Sequence, residues 1–169
     1  MEDDVLLSCE GGTVSLPLMP LNDRQDGGHL LVHPPREVWE RSELSPVELT
    51  PWSFLVAATG RAMLDALSQL AGGCINYWEA GNWALHDLAA PPGPKNPHGH
   101  RRVHLHVFGR SRAASHPGWQ WGESPRFLAF VDSKSYSSEF DRLNHEECSA
   151  IRTRIETLLV QKYGIGKSW

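Results

Sequence analysis

The chain reads as an α+β domain: an antiparallel sheet of about five strands, one long helix, and a helical C-terminal extension. Three features of the sequence predict this. Residues 103–108, Val-His-Leu-His-Val-Phe, alternate strictly between apolar and polar, the period of a half-buried strand. Leu55, Ala58, Ala62, Ala66 and Leu70 recur every three or four residues, the period of an amphipathic helix. The order of segments is strand, strand, helix, strands, which suits an antiparallel sheet better than a run of parallel crossovers.

Taken in order, residues 12–18 form a first strand and residues 28–34 a second, joined by the turn-rich stretch 22–28. Ser45 and Glu48 have the spacing of a capping box, and Thr50-Pro51 offers a second start with proline in the first turn. The long helix that follows is closed by Gly72-Gly73. Residues 74–79 are apolar and aromatic enough for a third strand, and a further strand starts at Trp83. Residues 89–100 carry four prolines, which remove ladder donors, so this segment is an exposed excursion. Residues 132–140 are too polar to assign. Asn144 then caps a final helix with Glu146 and Glu147 in its first turn and an apolar stripe at Cys148, Ile151, Ile155 and Leu158. Residues 1–122 make the core, and residues 123–169 extend the same domain.

A length of 169 residues is enough to bury a core without disulfides or a structural metal. The formal net charge of -4 argues against a protein that coats a nucleic acid polymer, although Arg101, Arg102, Arg110 and Arg112 are concentrated enough to hold a few phosphates. Cys9, Cys74 and Cys148 are odd in number and far apart, as reduced thiols are. The first residues lack the basic and apolar regions of a signal peptide, and no segment has the length of a membrane span, so a cytoplasmic protein without membrane partners is expected.

The chemistry concentrates on residues 102–106. Side chains at i and i+2 of a strand share a face, so Arg102, His104 and His106 project together while Val103, Leu105 and Val107 point into the core. Two imidazoles and a guanidinium on one face suit a phosphorylated substrate, because histidine can act as nucleophile near neutral pH and arginine grips phosphate oxygens. The competing interpretation is a polar strand face without chemistry.

This segment resembles the histidine triad motif, His-φ-His-φ-His-φ-φ with φ hydrophobic, at every place except the first, where Arg102 stands. Gly28-His29-Leu-Leu-Val-His-Pro34 is similar to the family's Gly-His-φ-φ-Val-φ-Pro strand. Asn76, followed by Gly81-Asn82, resembles a stretch that precedes the triad in a bacterial branch of the family, as does the tryptophan-rich stretch 117–122. In that branch the triad follows within a few residues; here the proline-rich excursion intervenes. The resemblance spans residues 12–122 and implies a histidine triad fold, usually homodimeric, with a small nucleotide over the triad strand and no cofactor. It implies that His104 is the nucleophile, that His106 contacts the phosphate and leaving group, and that His29 lies near the site. Leu21 falls at the register of the family's ribose-binding residue, and Asn22 reaches it with a one-residue shift. Asn82 matches an asparagine that steadies the phosphate-site loop, and His98-Gly-His100 stands where the family carries Gly-Gln-Ser.

In the family the nucleophile is anchored by the main-chain carbonyl of the first triad position, and arginine supplies that carbonyl as well as histidine. A guanidinium on this face is also expected to lower the pKa of the neighbouring imidazole. The reaction implied is nucleotidyl hydrolysis or transfer at the α-phosphate of a nucleoside 5′-phosphate anhydride, ester or phosphoramidate, with Arg102 and His106 offsetting phosphoryl charge. The alternatives are a catalytically weak nucleotide sensor and a metal-binding protein built on His98, His100, His104 and His106. His33, His86, His116 and His145 read as ordinary surface or packed residues. Trp78 and Trp83 are candidates for pocket walls.

Overall fold

Strand β1 (Asp4–Cys9) turns tightly into β2 (Gly12–Leu16), which pairs with β3 (His29–His33). Strands β4 (Cys74–Ala80) and β5 (His104–Arg110) complete a fully antiparallel sheet of order β1-β2-β3-β5-β4 in this computed structural model, which describes residues 3–126 and 128–165. The five-stranded α+β plan is therefore the expected one, reached through a partly different set of strands. Strand β1 was not foreseen, because a register shift between Val5 and Leu7 breaks the alternation that would announce it. The strand expected at Trp83 is instead a short 3-10 turn, Asn82–Leu85, entered through Gly81 at φ 128°. The unassigned segment contains a 3-10 turn, Phe130–Asp132, and the short helix α3 (Ser133–Ser137). The proline-rich excursion carries one helical turn, α2 (Pro97–His100), capped by Asn96 on the Gly99 N–H at 2.8 Å.

Helix α1 (Pro46–Ala66) starts where the capping box placed it: the Glu48 carboxylate accepts the Ser45 N–H at 2.8 Å and its hydroxyl at 2.7 Å. The helix runs through Pro51 and ends before the glycine pair, giving way to a 3-10 turn at Ser68–Leu70. Its apolar stripe, with Leu55, Ala58, Ala62 and Met63 all fully buried, lies on Val14, Leu30, Val32 and Val107 of the sheet. Helix α4 (His145–Gln161) opens with a reciprocal cap between Asn144 and Glu147 and packs on α1 through Ile151, Ile155 and Leu159. Both helices thus cover one face of the sheet, and loops cover part of the other. Among the described residues, no helix is long and apolar enough to cross a membrane.

Candidate active site

The pleat of β5 places Leu105 and Val107 against the helices and turns His104, His106 and Phe108 to the opposite face. Antiparallel register then selects their neighbours. Strand β3 sets His29 opposite Phe108 and Leu31 opposite His106, while β4 sets Trp78 opposite His106 and Ala80 opposite His104. Three imidazoles meet on this face in hydrogen-bond contact.

Their bonds form a single directed series. The Leu21 N–H donates to Nδ1 of His29 at 3.2 Å, so a neutral His29 carries its proton on Nε2. That Nε2 lies 2.8 Å from Nδ1 of His106, which accepts and leaves the His106 proton on Nε2. His106 Nε2 in turn lies 3.1 Å from Nε2 of His104. At the far end, His104 Nδ1–H donates to the main-chain carbonyl of Arg102 at 3.0 Å, so His104 Nε2 is the bare nitrogen. A backbone donor and a backbone acceptor bracket three neutral rings, and both ends demand the same tautomers.

Burial keeps the rings neutral. His29 is driven down to about 3 by burial first and by His104 second. His106 is held well below the usual histidine value by burial, then by His29, His104 and His33. His104 is lowered by burial, and the Arg102 carbonyl and Asp3 work in the opposite direction. The side chain of Arg102 therefore does not set the charge state of the nucleophile, contrary to the sequence-based expectation. It turns to solvent, pairs with Glu37 at 2.9 Å and donates to the carbonyls of His98 and Arg101.

The carbonyl that anchors His104 is kept clear by Gly81. A Cβ there would come within 2.7 Å of the Arg102 oxygen, at a backbone φ that disfavours side chains in any case. Asn82, next in sequence, accepts Arg101 Nε at 3.2 Å and lines the cavity beside His104. His100 also lines that cavity, whereas His98 is turned away against Trp39, ring centroids 4.1 Å apart. Asn22 is placed otherwise than the ribose-facing position expected of it. It is completely buried, with its amide donating to the carbonyls of Gly109 at 2.8 Å and Gly28 at 3.4 Å, tying the approach to β3 onto β5. Arg110 is structural as well, buried and donating to Asn76 and the carbonyl of Glu123, whereas Arg112 is exposed and lies 4.9 Å over the Trp121 ring.

Two cavities flank His106 and Trp83, which line both. One of about 510 Å³ is lined by Pro17, Leu18, Met19, Leu21 and Leu31. The other, of about 640 Å³, holds His104, Trp78, Val103 and Leu128. His33, read from the sequence as an ordinary residue, lines this larger cavity with its ring 5.5 Å from that of His104 and Nε2 3.3 Å from the Ser15 hydroxyl. The signal that finds it is its i+4 spacing from His29, which puts both on one strand face. Asp26 is a second residue the sequence did not single out. Its buried carboxylate accepts the N–H groups of Ser115 and His116, fixing the segment from which Trp119 Nε1 donates to the Leu21 carbonyl at 2.8 Å. Among the described residues, no group of three or more histidines, cysteines and acids is arranged to hold a metal ion.

No family model and no curated protein matches the chain. Among solved structures, a hypothetical histidine triad nucleotide-binding protein from Sulfolobus tokodaii strain7 is 18% identical with a TM-score of 0.49, over 100% of this chain and 93% of that one. A zinc-bound histidine triad family protein from Mycobacterium smegmatis is 16% identical with a TM-score of 0.51, over 94% of this chain and 87% of that one. At such identity the likeness to the mycobacterial protein is one of fold. The chain is thus built on the α+β fold of histidine triad proteins.

Proposed function

We propose that this protein is a nucleotidyl hydrolase or transferase of the histidine triad family, acting through His104 on the α-phosphate of a nucleoside 5′-phosphate derivative. The observation that carries this reading is the directed hydrogen-bond series, which leaves His104 Nε2 unprotonated at the mouth of a cavity with His106 Nε2–H beside it. That is the arrangement a nucleophile and an oxyanion donor require. The nucleoside lies in the smaller cavity, whose Leu21 occupies the family's ribose register, and the leaving group lies in the larger one.

In the reaction, the His104 Nε2 lone pair attacks phosphorus, and the bond to the leaving group breaks with its electron pair. The proton on His104 Nδ1 stays there, donated in its hydrogen bond to the Arg102 carbonyl. His106, held neutral by burial, gives a hydrogen bond to a phosphoryl oxygen rather than acting as a cationic acid. The leaving group takes its proton from solvent in the open cavity as it departs; water then splits the nucleotidyl-histidine, its hydroxyl going to phosphorus and its proton returning to solvent. His29 has no substrate contact in this scheme; it fixes the tautomer of His106. The reading places the protein in the cytoplasm as a homodimer paired through the free edge of β4.

Incubation with labelled adenosine phosphoramidate or diadenosine tetraphosphate tests the proposal. The wild type is expected to release AMP and to carry an acid-labile nucleotidyl label, both lost in His104→Ala by at least about a thousandfold. Neither turnover nor label with any nucleotide would overturn it.

A further inference from the structure

We propose a second ligand site at the end of the sheet opposite the imidazoles, a cavity of about 440 Å³ around Arg110 that takes a phosphate or carboxylate carried on a small organic group. It stands independently of the nucleotidyl-transfer reading, because none of its lining residues borders either cavity at His106. Arg110 closes β5, the strand that His104 opens, which puts the two about 20 Å apart at the rise of a strand. Alternation along β4 sets Cys74 and Asn76 on the face that carries Trp78, and residues 121–125 line the other side of the cavity.

The charge of Arg110 is the first argument. Only 4% of its surface is exposed, and its hydrogen bonds go to neutral acceptors: Asn76 Oδ1 at 3.1 Å, the main-chain carbonyl of Gln120, and that of Glu123 at 2.8 Å. A guanidinium has more N–H donors than these bonds use, and Arg110 Nε is buried without a hydrogen-bond partner. Among the described residues no carboxylate pairs with it. The buried carboxylate of Asp26 is turned to the N–H groups of Ser115 and His116 instead. The Trp119 ring, 5.5 Å from the guanidinium carbon, offsets part of the charge. A buried charge without a counter-charge is strongly destabilising, and a bound oxyanion supplies one.

The rim supplies the second argument. Arg112, exposed and likewise without a carboxylate partner among the described residues, lies 4.9 Å over the Trp121 ring, so a second positive charge stands beside the cavity. Ser124 brings a hydroxyl to the lining, and Trp121 and Pro125 bring apolar surface for the organic part of the ligand. Glu123 is the sole acid in the lining, and what it offers Arg110 is its main-chain carbonyl.

Cys74, exposed in the same lining, reports occupancy. Its alkylation by iodoacetamide, followed by peptide mass spectrometry at constant ionic strength, is expected to slow saturably by about fivefold or more with phenyl phosphate or benzoate and to be unchanged by benzyl alcohol. Cys9 and Cys148, which do not line the cavity, are expected to keep their rates. In Glu123→Gln, a change at an exposed position, the dissociation constant of the anion is expected to fall by about threefold, and in Arg110→Gln to rise by about tenfold or more. Where Arg110→Gln loses its fold, the wild type and Glu123→Gln decide. Protection that does not saturate, that extends to all three cysteines, that benzyl alcohol reproduces, or that Glu123→Gln leaves unchanged would overturn the inference.

Discussion

At the scale of the residue, the division of labour within Arg102 decides what its substitution does. The main-chain oxygen anchors His104, and the guanidinium faces solvent and Glu37. Arg102→Ala is therefore expected to lower turnover of adenosine phosphoramidate by less than about tenfold, since an exposed ion pair contributes little. The same assay across pH is expected to stay flat as pH falls through 6.5, the ordinary histidine value, because burial holds His104 in its neutral form below that point. A fall in kcat/KM already complete at pH 6.5 would show that His104 is charged there, and an Arg102→Ala loss as large as that of His104→Ala would show that the guanidinium takes part in the chemistry.

The elements set which residues meet and how copies of the chain could associate. Strand β4 is the last in the sheet, bonded to β5 alone, with Cys74 and Tyr77 exposed along it. An unpaired edge of this length is a template for a second strand unless it is blocked by charge, proline or a bulge. Glu79, paired with Arg41, is the sole charged side chain in the strand. Sedimentation at micromolar concentration is expected to give twice the 18.9 kDa chain mass, and hydrogen exchange to show β4 amides protected on both edges. A monomer with fast-exchanging outer amides would refute the pairing. The close approach of the loop before β3 to β5 is equally an element-scale matter: a Cβ on Gly109 would come within 2.1 Å of the Gly27 carbonyl, so both glycines are needed for Asn22 to bridge the carbonyls of Gly28 and Gly109.

For the whole molecule, a row of buried neutral imidazoles ties stability to pH. His29, His33, His104 and His106 all have folded pKa values below the unfolded value of 6.5. Below that pH the unfolded chain binds more protons than the folded one, so stability is full above pH 6.5 and is lost as pH falls toward the folded values. His29, whose folded value is about 3, predicts a loss of about 2 kcal/mol between pH 6.5 and 5, and His106, lowered by burial as well, adds to it in the same direction; both are measurable as a shift in the urea midpoint. An unchanged midpoint over that range would mean that the rings are charged or solvated in the folded protein. The same assembly depends on distant parts of the chain: Asp26 fixes the segment carrying Trp119, Trp119 holds Leu21, and Leu21 sets the first tautomer.

The sequence alone determined the strand that matters, because a period of two is a local property: Val103, Leu105 and Val107 had to face the core, so His104 and His106 had to share the other face. It likewise located α1 and α4 through their caps and stripes, and it carried the likeness to the triad motif. It did not reveal β1, where a bulge hides the alternation, nor the 3-10 turn at Trp83, where aromatic content imitates a strand. Only the tertiary structure decided that His33 joins the cavity, that Asn22 is a buried strut, that His98 turns away, and that Arg101 and Arg102 are paired with carboxylates. Those outcomes depend on the register of β3 against β5 and on contacts between residues as far apart in sequence as Leu21 and Trp119, and no local pattern encodes them.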